Sequence, residues 1–259
     1  MTAQADFDRD TAILVDAGIA MPAEITALRQ RLTDFASISG HPCRDRLVAA
    51  LAAGDTDITE LRAAALAETE NSTHQLVTAV AAEIHQLVTA AYARVAEANY
   101  DALAQRFDTE AAAFSKSSTA VDPETPANQM VAAPAKERQA WLDAELRAST
   151  MTNLLPALAA AARLAGVDVR DRDALALTVN PGTLHRRRVW EAWNSHGERC
   201  GRWSALHTLG ATLRACPLHD YEPYAEPLPL ETRQERVKAP YVGIRQVVVD
   251  PHDAEYASA

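Results

Sequence analysis

The chain has 259 residues, a hydrophobic content of 48%, 5% aromatic residues and a formal net charge of −10. That apolar fraction excludes disorder throughout and suffices for one large domain or two smaller ones, while the acidic field disfavours a general nucleic-acid coat, because a phosphate backbone attracts basic faces. About one residue in five is Ala, only 9 are Gly and β-branched runs are few, which favours closely packed helices over a β-sandwich or a Rossmann sheet.

The residues after Met1 (Thr2-Ala3-Gln4-Ala5-Asp6-Phe7-Asp8) form neither the basic nor the apolar region of a secretory leader, so none is expected. The longest apolar run, Leu154 to Val167, contains Pro156 and Arg163 and is too short to span a bilayer. Cys43, Cys200 and Cys216 are an odd, sparse set that fits reduced thiols. The expected location is the cytoplasm or an intracellularly assembled particle, with no membrane partner.

The first elements read as short helices. Pro22 opens one whose apolar residues Ile25, Leu28, Leu32 and Phe35 recur every three or four positions until Gly40. Pro42 opens the next, with Leu47, Val48 and Leu51 as its stripe and Gly54 as its stop. Asp57-Ile58-Thr59-Glu60 then has the form of a capping box, and no Pro or Gly follows until Pro123. The pattern predicts a long helix from about 58 to 115, roughly 85 Å at 1.5 Å per residue. Glu70-Asn71-Ser72-Thr73 is its weak point.

This stretch carries an internal repeat. His74-Gln75-Leu76-Val77-Thr78-Ala79 recurs eleven residues later as His85-Gln86-Leu87-Val88-Thr89-Ala90. Eleven residues over three turns keep one stripe aligned with a slight right-handed drift. Val77, Val80, Ile84, Leu87, Ala91 and Val95 form the candidate helix interface, and His74 and His85 fall on the polar face, three turns apart and too far to share a metal.

Residues 116–136, rich in Ser, Thr and Pro, read as a flexible linker. Glu137 to Ser149 is expected to be helical with Trp141, Leu142 and Leu146 on its apolar side, and Asn153 to Leu164 forms a second piece that Pro156 begins or kinks. Short helices follow at Thr183 to Ser195 and Trp203 to Ala215. From 220 onward, Pro223, Pro227, Pro229 and Pro240 enforce an extended arm in which Val242 to Val249 reads as one strand.

Two clusters could carry chemistry. His196 and Cys200 are four apart and Cys216 and His219 three apart, so that two thiolates and two imidazoles could close a tetrahedral zinc site, although the spacing matches no common zinc motif. Arg186, Arg187 and Arg188 lie beside Trp190 and Trp193, a grouping that allows nucleic-acid contact through phosphate pairing and base stacking. A helix spreads three successive arginines over about 200°, which favours ion pairs with acidic residues of the same or a neighbouring chain. No phosphate-binding loop, G-x-S-x-G, H-E-x-x-H or dinucleotide motif is present.

The expectation is therefore an all-α protein: a long-helix bundle or coiled-coil-like N-terminal domain (1–115), a linker (116–136), a smaller helical C-terminal domain (137–219) and an extended C-terminal arm (220–259). Its expected role is that of a non-enzymatic subunit of a homo-oligomer or larger particle, viral or bacterial. The alternative is a regulatory nucleic-acid-binding module with the basic Arg/Trp cluster and zinc.

Overall fold

Glycine and proline punctuation sets the first helices of the computed structural model, which describes residues 3–37, 42–54, 57–69, 72–170, 173–195, 199–237 and 243–253. The fold is 68% helix with a few small antiparallel strands, and the chain divides into two compact units, Met1–Ala96 and Glu97–Ala259. Among the described residues, no helix is long and apolar enough to cross a membrane.

In the first unit, α1 (Ala3–Asp16) ends where Gly18, at φ 82°, lets the Gly18 and Ile19 N–H groups donate back to the Val15 and Leu14 carbonyls. Helix α2 (Ala23–Ser37) follows Pro22, and α3 (Pro42–Ala52) packs on α4 (Thr59–Thr69). The Glu68 carboxylate of α4 accepts the Cys43 and Arg44 N–H groups at 2.8 and 3.0 Å. These are N–H groups that the first turn of α3 cannot satisfy within the helix.

The expected rod over 58–115 is corrected to three helices. α4 is Thr59–Thr69 and α5 is Ser72–Ala93; of the weak stretch read in the sequence, Ser72 and Thr73 open α5, while Glu70 and Asn71 lie outside the described residues. The second break falls at Arg94 and Val95, where the Val95 N–H donates to the Tyr92 carbonyl before α6 (Ala96–Ala120) begins. Neither Gly nor Pro marks that second break, and the sequence gives no warning of it.

Both copies of the eleven-residue repeat lie in α5. Its inward face differs by one position from the stripe read in the sequence: Val88 and Ala91 are buried, Val77, Val80, Ile84 and Val95 are half-buried, and Leu87 is exposed. A step of four from Ile84 returns to within about 40° of the same face, and a step of three falls further away. Helix α2 packs on α5 and buries Ile25 and Leu28. Phe7 of α1 meets His85 and Tyr92 edge-on at 5.5 and 5.9 Å, so His85 belongs to this packing and not to a solvated face.

The second unit is built on α6, whose Tyr100, Leu103, Phe107, Ala111 and Phe114 are buried at helical spacing. Within 116–136 the chain contains the end of α6, the one-turn α7 (Ala127–Met130) with Met130 buried, and the start of α8 (Ala135–Leu164). The two pieces expected around Pro156 are one helix. Proline costs an interior helix about 3 kcal/mol, but here Ala157 to Ala162 are all buried, and that packing fixes the helix on both sides of the exposed Pro156. Trp141 and Ala144 face inward while Leu142 and Leu146 are exposed.

Short elements complete the unit: α9 (Ala174–Thr178), β1 (Val179–Asn180), α10 (Arg186–Trp193), α11 (Arg202–Leu209) and β2 (Thr212–Leu213). β1 and β2 pair antiparallel, Val179 opposite Leu213. Asp108 of α6 accepts the Ala215 N–H at 2.7 Å and Tyr100 donates to the Cys216 carbonyl at 2.6 Å, tying this bridge to the helix. Trp203 is fully buried against Phe107 and Trp193, with ring centroids 5.7 Å away in both cases, and its Nε1 donates to Thr152 Oγ1 at 2.8 Å.

The C-terminal arm holds β3 (Glu231–Val237) and β4 (Gly243–Val249), paired antiparallel with Gln234 opposite Gln246 and Glu235 opposite Arg245. The single strand expected at Val242 to Val249 thus has a partner inside the chain. Its partner reads Glu-Thr-Arg-Gln-Glu-Arg-Val, a charged segment without the apolar alternation that announces a strand.

Because Phe107 is fully buried on the Trp203 ring, Phe107→Ala should destabilise the second unit by about 3–5 kcal/mol. Leu142→Ala, at an exposed position, should change stability by less than about 0.5 kcal/mol. Denaturant unfolding of both variants measures the contrast.

Candidate functional site

The residues with the densest polar contacts lie where the C-terminal arm meets α10. Three successive arginines start this helix and, as helical geometry requires, point in different directions. Arg188 is exposed. Arg187 turns to the arm: its side chain is 17% exposed, Nε donates to Asp250 Oδ2, and Nη2 donates both to Asp250 Oδ1 at 3.2 Å and to the Leu228 carbonyl. Leu228 precedes β3 and Asp250 follows β4, so one guanidinium holds both ends of the hairpin.

Further bonds surround this clamp. His252 Nε2 accepts the Leu228 N–H at 3.0 Å, and the His252 N–H donates to Asp250 Oδ1 at 3.0 Å. The Tyr224 hydroxyl donates to the Arg186 carbonyl at 2.9 Å, while its ring stacks on Trp190 with an interplanar angle of 6°. His185, at the N-terminal end of α10, lies 3.4 Å from Asp253 Oδ1 and 4.0 Å from Asp250 Oδ2 through its Nε2.

The hydrogen bond from Arg187 pulls Asp250 down to about 2, with the His252 N–H and the nearby charges of Arg187 and His185 acting in the same direction. Asp250 thus remains a carboxylate through almost the whole aqueous range. Its folded value lies below its ordinary one of 3.8, so its contribution to holding the arm is fully present above about pH 4 and is lost as the pH falls through 2.

His185, Asp250 and Asp253 offer ligand atoms within 4.8 Å of one another, the group among the described residues that could hold a metal ion. Asp250 is already engaged by a guanidinium, whose positive charge opposes a cation at the same carboxylate. The sequence-based zinc set is arranged differently. His196 lies outside the described residues. Cys200 is buried, and burial together with the Glu124 charge pushes its thiol up to about 12; Cys216 Sγ faces its neighbour's carbonyl, and the His219 side chain is 80% exposed. Among the described residues, Cys200, Cys216 and His219 do not form a ligand cluster.

The basic and aromatic residues are divided in the same way. Trp193 is 5% exposed, edge-on to Trp203 and covered by the Arg202 guanidinium 4.3 Å above its ring. Arg199, near the basic cluster in sequence, lies over Trp141 at 3.2 Å and donates to the Pro123 carbonyl and to Glu145, while the Arg199 and Cys200 N–H groups donate to the Glu124 carboxylate. Arg186 and Arg214 line a cleft of about 590 Å³ together with Asp220 and Glu222, so both signs of charge face it. Asp250, His252 and Tyr224 carried no sequence signal, because the residues they meet are 24 to 63 positions away.

No family model matches the chain, and no curated protein or solved structure matches it either.

Acidification from pH 4 to 2 should release the arm, and Asp250→Asn should remove that acid dependence, the arm then exchanging faster at every pH. Pulsed hydrogen exchange at the Leu228 amide measures both effects.

Proposed function

We propose that this protein is a non-enzymatic structural subunit that acts by assembly, in a homo-oligomer or a larger particle formed inside the cell. The observation that carries this reading is the β3–β4 hairpin. Residues 231–235 and 244–246 are exposed along both strands, and Ile244 and Val248 are 69% and 64% exposed. An isolated two-stranded hairpin is at best marginally stable in water, and three or more strands or a packed face are needed for independent stability. Nevertheless the chain fastens both ends of this element to α10 through Arg187. A sheet held firmly at its base and exposed at residues 231–235, 244–246 and 248 is suited to completion by another chain.

The α5 stripe supports the reading less than its repeat suggests, since α2 and Phe7 cover much of it within the same unit. Further exposed aliphatic residues, Leu142 and Leu146 on α8 and Val48, Leu51 and Leu66 on α3 and α4, are additional places for subunit contact.

Light scattering over a wide concentration range should give a mass above that of one chain, rising with concentration. A single compact chain at every concentration contradicts the assembly role.

A further inference from the structure

The second unit holds a cleft of about 590 Å³ bordered by the start of α10, the β1–β2 pair and the chain after Cys216. Its volume falls in the range of small-molecule sites. Apolar residues, Val179, Leu184 and Ala215 among them, form much of its wall, and Arg186, Arg214, Asp220 and Glu222 bring both signs of charge to it. These charges do not cancel one another. Among the described residues, Arg214 and Glu222 enter no ion pair, and Asp220 has only His219 beside it, at 3.5 Å.

Both signs are nevertheless felt at one residue of the wall. Burial pushes the Cys216 thiol up, the Asp220 carboxylate acts in the same direction, and the Arg214 guanidinium opposes them. Cys216 itself lines the cleft, so a cationic and an anionic side chain converge on the same wall.

The fold fixes the walls. The Arg214 and Cys216 N–H groups donate to the Thr178 and Leu177 carbonyls at 3.0 and 2.8 Å. The Gly182 N–H donates to Asn180 Oδ1 at 3.0 Å, and the Tyr224 hydroxyl donates to the Arg186 carbonyl at 2.9 Å. Pro181, Pro217 and Pro223 stiffen the backbone between these bonds. A preformed cleft keeps the ordering cost of binding low.

We propose that this cleft binds a short peptide with free termini, its carboxylate on Arg214 and its ammonium group at Glu222 and Asp220. An anion alone, such as phosphate, would meet two carboxylates, and a cation alone would meet two guanidinium groups. A ligand that carries both charges complements both, and the aliphatic parts of the wall favour apolar residues in it. Binding here requires no second copy of the chain and stands apart from the assembly role.

Titration calorimetry of the full chain at pH 7 with leucine, dileucine and trileucine tests the site. At least one of them should bind, and acetylating its amino terminus or amidating its carboxyl terminus should each weaken it roughly tenfold, the loss expected for a bond to a charged group. Arg214→Ala should bind the free and amidated forms alike, and Glu222→Gln should narrow the gap between the free and acetylated forms, because each variant removes the partner of the blocked group. Both positions are exposed, so both variants should keep the helical circular dichroism of the wild type. The assignment is overturned if none of the three probes binds, if free and blocked forms bind equally to the wild type, if inorganic phosphate binds more tightly, or if either variant discriminates as the wild type does.

Discussion

The placement of the C-terminal arm depends on one guanidinium. Arg187 reaches both carboxylate oxygens of Asp250 and the carbonyl of Leu228, residues that flank the hairpin on either side. Charge-assisted bonds to a planar fork are stronger and more directional than neutral ones. Shielding at this site, where both side chains are largely removed from water, reduces the screening that makes most surface ion pairs weak. A lysine could not hold two acceptors in one plane in this way. The Tyr224 ring on Trp190 adds a contact between the arm and α10, and the Leu228 N–H on His252 Nε2 ties the two sides of the arm to each other without reaching the helix.

The clamp works because α10 is itself fixed. Val189 and Trp193 face the interior, and Trp193 meets the Trp203 ring, which in turn meets Phe107 of α6 and bonds to Thr152 of α8. In a chain so rich in alanine, these few large rings provide the area that small side chains cannot. Arg199 extends the same logic at the surface, joining α8 to the loop before α7 through Trp141, Glu145 and Pro123. The helical core thus fixes α10 through Trp193 and Trp203, and α10 holds the two-stranded sheet through Arg187.

Much of the helical architecture is legible in the sequence, for a physical reason: alanine content, proline starts and glycine stops are local signals. Pro22, Gly18 and Gly54 act where they stand. The break at Arg94 and Val95 has no such marker, and the survival of α8 through Pro156 depends on burial of the alanines beyond it, which is a tertiary effect. Leu87 and Val88 show how fine the margin is, since adjacent apolar residues both fit the repeat and packing alone decides which turns inward. The candidate site was half visible. The arginine and tryptophan cluster could be read directly, but its partners Asp250, Leu228 and Tyr224 lie 34 to 63 residues downstream of theirs, a separation that no local pattern encodes.

Hydrogen exchange of the β3–β4 ladder in Arg187→Ala, against the wild-type chain, tests the central claim most directly. The account predicts fast exchange throughout the hairpin with unchanged protection in α8. Equal protection of the hairpin in both chains would contradict it.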